Sequence, residues 1–339
     1  EQFFNYFEQK NYEVNVDSFI NYNTWNIIYK KGYFLKKTLS LIRGYIFRFL
    51  LIFRLKKYDI IYIFMWVVPY WGNIFEKIYL NKAKNSIYDI EDNILVIKKN
   101  DVNPLTYLFK NKKKIIHLIE KSDHIIASSP DLKNTCNEIS NNPNKTQYIC
   151  ASIDLKRYIP TNRYNNESTV TIGWTGTFSS KVYLDLLENV FLKLSKIRKF
   201  KIIVISDFSY HINNVDYESI IWNKATEIED LSKIDIGIYP LSKDEWVSGK
   251  SGLKALQYMA MGIPVVASNV GNSSNIIKHQ NNGLLANDEI DWINSLISLI
   301  DNPDIRKKIG QSGRNSVIAN YSLEINSKKY FSVLEKCVN

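Results

Sequence analysis

Residues 248–271 read SGKSGLKALQYMAMGIPVVASNVG, and this stretch decides how the second half of the chain folds. After the opening glycines, four residues recur at the spacing of one helix face: Leu253, Leu256, Gln257 and Ala260. Gly262 and Pro264 then stop the helix, and the apolar run at 265–267 predicts a buried strand. A helix joined to a buried strand by so tight a turn is typical of an α/β fold.

The loop before this helix has the composition of an anion-binding site. Gly249 and Gly252 allow close approach to the backbone. Lys250 lies between them, and Lys254 follows on the helix. The first N–H groups of a helix lack intrahelical partners and the helix dipole is positive there, so both favour a phosphate group. An ordinary α/β crossover would use the same residues, and the stretch alone leaves both interpretations open.

Strands and helices alternate through the rest of this half. The predicted strands lie at the start of 170–184 and at 201–206, 234–241 and 265–267, with helices near 183–198, 226–233 and 251–261. This alternation predicts a doubly wound parallel sheet, which binds ligands beyond the carboxyl ends of its strands. Gly173 and Gly176 do not form the glycine pattern of a dinucleotide-binding fold.

Residues 170–322 resemble the C-terminal domain of family 4 glycosyltransferases (glycosyl transferases group 1), which are retaining enzymes of the GT-B fold. The matching motifs are IGWTGTFSS, DIGIYPL, GKSGLKALQYMAMGIPVVASNVG, HQNNGLL and RKKIGQSGRNSV, in that order. The N-terminal half matches more loosely, through SIYDIEDNI (86–94), SDHIIASSPDL (122–132) and ASIDLKRY (151–158).

The resemblance implies a domain organisation. GT-B enzymes have two Rossmann-like, doubly wound parallel-sheet domains that face each other across a cleft. We expect an acceptor-binding domain at 1–160, a nucleotide-sugar-binding domain at 161–320, and a C-terminal helix at 321–339 that packs back on the first domain. The polar segment 159–169 is the expected linker, and 339 residues suit two such domains. The family's first N-terminal strand is expected to precede residue 1.

The resemblance also implies a site for a nucleoside-diphosphate sugar in the C-terminal domain. Lys250 or Lys254 would neutralise the diphosphate, with Lys181 as a weaker third cation, while the turn at 176–177 and the helix start supply N–H donors. The complete set of candidate donor-binding residues is Gly176, Thr177, Lys181, Ser248, Gly249, Lys250, Ser251, Gly252, Lys254 and Gln257.

Two positions depart from the family pattern. Family members commonly carry two glutamates that flank this helix, one for the donor sugar and one for the ribose diol. Gly249 and Gln257 stand at these positions. Gln257 can still form hydrogen bonds with hydroxyl groups, but it brings no charge, and Gly249 offers the sugar no side chain.

The N-terminal half carries the candidate catalytic and acceptor residues. Asp89, Glu91 and Asp92 are predicted to form an acidic loop just after a strand, where one could orient or deprotonate an acceptor hydroxyl. An acidic turn that caps a helix would look the same. A second loop follows the strand predicted at 60–64 and carries Trp66, Tyr70, Trp71 and Glu76. Its aromatic rings could stack on an acceptor sugar or belong to the core.

A basic amphipathic stretch at 30–57 holds nine Lys and Arg residues and no acidic residue, in a chain of net charge +10. On a helix, Lys36, Arg43 and Arg54 share one face, with Lys37 and Arg48 beside it. Six apolar residues lie opposite: Leu39, Ile42, Ile46, Phe49, Leu50 and Phe53. This pattern is typical of a helix in an anionic membrane interface, although a helix with its apolar side against a sheet would share it. No recognition motif supports nucleic-acid binding.

These observations lead to one expected function. Three unclustered cysteines and four scattered histidines indicate a reducing, cytoplasmic compartment without a metal site, so we expect no metal and no other cofactor. The resemblance implies a retaining hexosyltransferase that acts on a saccharide or lipid-linked saccharide in bacterial surface polysaccharide synthesis, peripherally at the inner face of the plasma membrane. Gly249 and Gln257 leave a catalytically inactive GT-B scaffold or partner subunit open. A nucleotide-sugar 2-epimerase would need His and Glu pairs, and a phosphorylase a much longer chain.

Overall fold

The structure of the protein is a computed structural model that describes residues 2–28, 30, 32–70, 72–96, 112–160 and 169–338. The chain forms two compact units, one made of Glu1–Ile149 with Ser327–Asn339 and the other of Cys150–Asn326. The division at 149/150 lies before the expected linker at 159–169. Residues 150–158 join the second unit because they bond within it, as where the Cys150 thiol donates to the Ser251 carbonyl at 3.0 Å.

The first unit contains a four-stranded parallel sheet in the order β1-β2-β3-β4. Its strands are β1 (Ile61–Phe64), β2 (Ser86–Ile90), β3 (His124–Ala127) and β4 (Thr146–Tyr148). Its helices are α1 (Phe4–Glu8), α2 (Tyr22–Trp25), α3 (Phe34–Leu51), α4 (Ile74–Lys82), α5 (Lys112–Lys121) and α6 (Pro130–Ser140). A one-turn 3₁₀ helix, Leu55–Lys57, leads from α3 into β1.

Alternation along the strands gives this sheet two apolar faces. On one face, Tyr88 and Ile90 join a core that also contains Leu51 of α3 and Leu118 of α5. On the other face lies a smaller cluster of Ile87, Ile126 and Ile149, which packs against Val333 and Cys337 near the C-terminus. Val333 and Cys337 belong to the helix α15 (Leu323–Val338). The first unit therefore uses both ends of the chain.

The second unit contains a six-stranded parallel sheet in the order β10-β9-β8-β5-β6-β7. Its strands are β5 (Val170–Gly176), β6 (Phe200–Ser206), β7 (Tyr217–Ile221), β8 (Ile236–Tyr239), β9 (Val265–Ser268) and β10 (Leu284–Ala286). The helices are α7 (Lys181–Asp185), α8 (Glu188–Ser195), α9 (Glu227–Leu231), α10 (Glu245–Ser248), α11 (Leu253–Ala260), α12 (Ser273–Ile276), α13 (Glu289–Asp301) and α14 (Pro303–Asn320).

The order of strands reverses between β5 and β8, which are hydrogen-bonded neighbours. In open α/β sheets, ligands bind beyond the carboxyl ends of the strands at such a switch point. Gly173 and Gly176 belong to β5, and Gly176 is its last residue, whereas Gly249 and Gly252 lie between α10 and α11 in the connection that follows β8. The topology therefore places the predicted donor loops at the edge of the sheet where ligands bind.

The predicted α/β class and parallel sheets are confirmed. β7 and β10 were not predicted, because β7 is only half-buried and β10 has three residues. The pattern EVNV at 13–16 predicts a further strand, and this prediction is wrong, since the four residues are exposed and pair with no strand. The expected helix at 183–198 is two helices, α7 and α8.

Among the described residues, no helix is both long and apolar enough to cross a bilayer.

Candidate functional site

The entry into α11 depends on a glycine. Gly252 is the N-cap of this helix and has a φ of +80°, a conformation that L side chains rarely adopt. A Cβ at this position would also lie 2.3 Å from the Ile276 Cδ1 atom. Both observations exclude a larger residue here, so the backbone can turn tightly from α10 into α11.

Helix α11 is tied to the end of β5. The Tyr258 hydroxyl accepts a hydrogen bond from the Thr175 N–H at 2.7 Å. Its ring packs over Gly237 of β8, where a Cβ would approach the ring to 2.5 Å. Burial raises the pKa of the Tyr258 hydroxyl far above its usual range, with the Thr175 bond opposing the shift. The hydroxyl therefore stays protonated and holds α11 at a fixed position over the switch point.

The two lysines at the start of α11 differ in their environments. The Lys250 ammonium lies 5.6 Å from the centroid of the Tyr183 ring, which belongs to α7. Burial lowers the pKa of Lys254, while the negative charge of Glu227 acts in the opposite direction. Within the described part of the chain, no side chain hydrogen-bonds to the Lys254 ammonium. An anionic ligand would supply the partner that this half-buried cation lacks.

Gln257 belongs to a buried polar cluster around Glu227. The Gln257 amide donates to the Tyr158 hydroxyl and lies 3.4 Å from the Glu227 Oε1 atom. The Glu227 carboxylate also accepts hydrogen bonds from Arg157, at 2.5 Å, and from the Trp222 indole, at 3.3 Å. The Gln257 Oε1 atom is buried and has no hydrogen-bond partner in the described structure.

Sequence reasoning missed Glu227, although it lies in the acidic run TEIED that opens α9. A run of three acids in a first turn ordinarily indicates helix capping. Nothing in the run shows that Glu227 and Asp230 are buried or that Glu227 is the one that reaches Gln257. The separation of 30 residues from Gln257 hides the contact from local pattern reading. Glu227 nevertheless places a carboxylate beside the position where the family has its second glutamate.

The loop that follows β5 is already hydrogen-bonded. The Thr177 N–H donates to the Ser180 Oγ atom at 3.0 Å, and the Phe178 N–H donates to Asp207 at 2.7 Å. The Lys181 ammonium binds the Asp185 carboxylate at 2.7 Å. Their part in donor binding stays a prediction, and Lys250 and Lys254 are the stronger candidates because Lys181 has a carboxylate partner.

Asp89 lies in β2 itself rather than in a loop after the strand, which corrects the expectation for this residue. The Tyr62 hydroxyl of β1 donates a hydrogen bond to its carboxylate. Burial raises the pKa of Asp89 to about 7, the Tyr62 bond opposes this rise, and the charge of Glu91 adds to it. Glu91 and Asp92 do follow the strand, as predicted.

The residues of the second candidate loop are not all exposed. Trp66 and Tyr70 are half-buried, and Trp66 packs against the core of the first unit. Glu76 is fully buried in the first turn of α4, where it accepts from the Val68 N–H at 3.3 Å. Trp71 lies outside the described residues. Glu76 therefore supports the loop from beneath instead of presenting a carboxylate to an acceptor.

The apolar side of α3 faces away from the sheet. Seven residues at helical spacing are between 51% and 70% exposed: Leu35, Leu39, Ile42, Ile46, Phe49, Leu50 and Phe53. We call this set the exposed stripe. Helices of globular proteins usually bury such a stripe, and a continuous exposed apolar surface marks an interaction site. The alternative in which the stripe packs on the sheet is therefore wrong.

The basic residues of this helix divide into two groups. Lys36, Arg43 and Arg54 are exposed. Arg48 instead donates from Nε to the Val67 carbonyl at 3.0 Å and from Nη2 to the Asp17 carbonyl at 2.7 Å. Lys37 is half-buried and donates to the Lys30 carbonyl at 2.6 Å. The charge of Arg48 thus lies on the inner side of α3, which removes it from the predicted membrane-facing set.

In the described ranges, no group of three His, Cys, Asp or Glu side chains is arranged to hold a metal ion. The three cysteines are buried and unpaired with one another.

Residues 169–302 match the family model for glycosyl transferases group 1. The uncharacterised glycosyltransferase MJ1069 of Methanocaldococcus jannaschii is 23% identical over 295 residues, which span 79% of this chain and 72% of that protein. The predicted resemblance to group 1 glycosyltransferases is therefore confirmed, and the segment 169–302 carries it.

Solved structures with the same fold cover most of the chain. Sucrose-phosphate synthase from Thermosynechococcus elongatus is 15% identical and has a TM-score of 0.66, over 89% of this chain and 79% of that one. HepE from Anabaena, solved in complex with UDP-glucose, is 14% identical and has a TM-score of 0.64, over 99% of this chain and 89% of that one. These similarities confirm the GT-B fold.

Proposed function

We propose that this chain, a glycosyltransferase of group 1 with the GT-B fold, transfers a sugar from a nucleoside-diphosphate sugar to a saccharide or lipid-linked saccharide. The observation that carries the proposal is the pair Lys250 and Lys254 at the glycine-entered start of α11, beyond the carboxyl end of β8. Two cations and a helix N-terminus suit a diphosphate, and the similarity to HepE, solved with UDP-glucose, supports this donor class.

The chemistry at this site is stabilisation of a leaving group. When the bond between the sugar and the diphosphate breaks, negative charge grows on the diphosphate, and the two ammonium groups would balance it. We propose that the reaction retains the configuration of the sugar and needs no metal. Support for metal independence comes from the two lysines, which supply the positive charge that a divalent cation would otherwise bring.

On the acceptor side, the candidates are Asp89, Glu91 and Asp92, with Trp66 and Tyr70 as candidate contacts for the acceptor sugar. A carboxyl group with a pKa of about 7 is well matched to proton transfer near neutral pH, which supports Asp89 as a candidate base. Asp89 is also only half-buried, so its bond to the Tyr62 hydroxyl does not enclose it completely.

We further propose that the enzyme acts in the cytoplasm at the inner face of the plasma membrane, in the synthesis of a bacterial surface polysaccharide. The exposed stripe of α3 supports a membrane-bound state, since an interfacial helix buries such residues among acyl chains. Lys36, Arg43 and Arg54 would contact anionic headgroups, at up to about 1 kcal/mol each. A lipid-linked acceptor would be found at the same surface.

A thermal-shift screen against UDP, GDP, ADP and CMP tests the donor site directly. A ligand that binds only the folded protein stabilises it by RT ln(1 + [L]/Kd), so Tm rises with ligand concentration and with affinity. We expect one or more nucleoside diphosphates to raise Tm and CMP to have little effect, because it lacks the second phosphate. If no nucleotide shifts Tm at millimolar concentration, the proposed donor class is wrong.

A turnover assay distinguishes an active enzyme from a catalytically inactive scaffold, which is the alternative that Gly249 and Gln257 suggest. The nucleotide that binds is supplied as its sugar conjugates, and release of the nucleoside diphosphate is followed with membranes as the source of acceptor. Release that depends on membranes supports transfer. Tight binding without any release, under all acceptor conditions, would favour a partner subunit.

A further inference from the structure

Residues 65–70 lead the chain away from β1 and carry two of the candidate acceptor contacts. Side chains from three helices bond to the backbone of this segment: Tyr45 to the Tyr70 carbonyl at 2.9 Å, Arg48 to the Val67 carbonyl at 3.0 Å, Lys114 to the Val68 carbonyl at 2.7 Å, and Glu76 to the Val68 N–H at 3.3 Å. Three of these four bonds join residues that are 19 or more positions apart, so distant parts of the first unit hold the segment in place.

The segment needs this support because its conformation is unfavourable by itself. Met65 has a φ of +64°, in the left-handed region that a side chain of this size rarely adopts. Glu76 and Lys114 are also both buried, with the ammonium 4.0 Å from the carboxylate. Burial raises the pKa of Glu76 and lowers that of Lys114, so burying the pair is costly. The bonds of both side chains to the Val68 backbone offset part of this cost.

Two of the four supporting side chains belong to α3, the helix with the exposed stripe. At 100° per residue, Arg48 lies on the inner side of the helix together with Gly44 and Leu51, which are buried. Tyr45 lies at the flank between the inner side and the stripe. The Arg48 carbonyl accepts a further hydrogen bond from the Tyr79 hydroxyl at 2.8 Å. One side of α3 is thus bonded to the 65–70 segment while its opposite side is unoccupied.

We propose that α3 couples a membrane at its exposed stripe to the 65–70 segment, with Tyr45 and Arg48 as the positioning residues that transmit the effect. An α3 seated in an anionic lipid surface loses the freedom to tilt and to fray. The segment that Tyr45 and Arg48 hold is ordered with it, before an acceptor arrives. The role of the segment in acceptor binding rests on the proposed function, whereas the coupling rests on these contacts alone.

The coupling has a reciprocal consequence. If order in α3 stabilises the segment, then a firmly held segment must favour the membrane-bound α3 to the same extent. Loss of the Tyr45 or Arg48 bonds should therefore weaken vesicle binding slightly while it abolishes the response of the segment. Loss of the exposed cations should have the opposite pattern, because it removes the vesicle contact and leaves the bonds to the segment intact.

Amide hydrogen exchange with vesicles tests the coupling. Wild type, Tyr45→Phe, Arg48→Lys and the control Tyr22→Phe, which changes an exposed tyrosine of α2, are compared with vesicles of equal parts phosphatidylglycerol and phosphatidylcholine and with phosphatidylcholine alone. In wild type and control, we expect the anionic vesicles to slow exchange about threefold or more in peptides covering 34–53 and 65–70. In Tyr45→Phe and Arg48→Lys, peptide 34–53 should still be slowed, but not 65–70.

Each other outcome overturns the proposal. Slowing of 34–53 in wild type without slowing of 65–70 would show that the stripe and the segment are independent. Slowing of 65–70 to the same extent in all four proteins would exclude Tyr45 and Arg48 as the connection. If neither kind of vesicle slowed exchange in peptide 34–53, α3 would not bind the membrane, and there would be nothing for the coupling to transmit. The donor site is measured separately by the nucleotide Tm shift, so failure of the coupling and failure of the proposed enzyme are distinguishable.

Discussion

The side-chain amide of Gln257 lies 3.4 Å from the carboxylate of Glu227, in a cluster that Arg157, Tyr158 and Trp222 complete. An amide is the side chain that fits here, since it can donate to a neighbouring carboxylate, whereas a second carboxylate would repel it. The absence of the family glutamate at 257 is therefore accompanied by a carboxylate from α9. The cluster therefore keeps one carboxylate beside position 257, and Glu227 supplies it.

The first prediction follows from this relationship. Gln257→Glu places two carboxylates side by side, which raises the pKa of the introduced group above its ordinary value of about 4.3. An acidic group whose pKa is higher in the folded than in the unfolded protein destabilises the folded state once the pH rises above its unfolded pKa. We therefore expect the variant to have a lower Tm than wild type at pH 7. The difference should shrink towards pH 4, and Gln257→Glu/Glu227→Gln should recover most of it. An equal loss of Tm at both pH values would contradict repulsion as the cause.

The second prediction concerns the donor site. Lys250→Ala/Lys254→Ala removes two charge-assisted contacts, each worth about 1.5–3 kcal/mol, so nucleoside-diphosphate affinity should fall at least about 100-fold. Isothermal titration calorimetry measures the change, and Lys307→Ala, which removes an exposed lysine of α14, is the matched control. Unchanged affinity in the double variant would move the diphosphate site elsewhere.

The third prediction concerns the membrane surface. Lys36→Gln/Arg43→Gln/Arg54→Gln should release the protein from phosphatidylglycerol vesicles, and the wild type should lose binding as salt rises from about 0.1 M to 1 M because the screening length falls from about 10 Å to 3 Å. Co-sedimentation gives both results. Lys196→Gln/Lys199→Gln/Lys307→Gln carries the same change of charge in the second unit and should bind as wild type does. Release of both triple variants alike would point to net charge instead of α3.

The fourth prediction uses Asp89. The pKa of Asp89 is about 7 in the folded protein, whereas the ordinary value for an aspartate is 3.8. As pH rises, the unfolded chain therefore loses this proton at a lower pH than the folded protein does. The free energy of unfolding should therefore decrease between about pH 4 and pH 7 on account of this group. Asp89→Asn removes that contribution, and we expect the variant to exceed wild type in Tm at pH 8 and to match it near pH 4. A variant less stable than wild type at pH 8 would show that the charged carboxylate is favourable in the fold.

The fifth prediction concerns the buried pair beneath the 65–70 segment. Lys114→Met leaves Glu76 buried without its cation, and the expected loss in the free energy of unfolding is about 3–5 kcal/mol. Lys112→Met, two residues earlier and exposed, should change stability by less than about 0.5 kcal/mol. Adding Glu76→Gln to Lys114→Met should restore part of the loss, because the uncompensated charge is then removed. Denaturant titration of each variant provides the comparison.

Sequence patterns predicted the helices and strands well, but they predicted poorly which side of each element contacts the rest of the protein. The apolar runs of β5, β6, β8 and β9 all form buried strands in the structure, so local sequence is enough to identify these strands. The 100° periodicity of α3 likewise shows that the helix is amphipathic. Periodicity does not tell which side meets the protein, and the inner side proved to be the one with Gly44, Arg48 and Leu51.

The functional side chains were harder to place because their partners are distant in sequence. Arg48 was grouped with the surface cations by its charge, yet its hydrogen bonds reach residues 19 and 31 positions away. Sequence position predicts that Glu76 belongs to the acceptor loop with the aromatic residues before it, but the structure buries Glu76 beside Lys114 of α5. Local composition indicates which residues are charged, but only the tertiary structure decides which charges reach the surface.

The division of the first unit between the two ends of the chain has a consequence for how the protein is made. Residues 150–326 emerge from the ribosome as one uninterrupted piece, so the second unit can complete its core during translation. The first unit cannot, because Val333 and Cys337 cover Ile87, Ile126 and Ile149 only after residues 327–338 have been made. The N-terminal half is made first, but it can complete its core only after the second unit has been made. Loss of residues 327–338 would therefore damage the part of the first unit farthest from them in sequence, because it would uncover Ile87, Ile126 and Ile149.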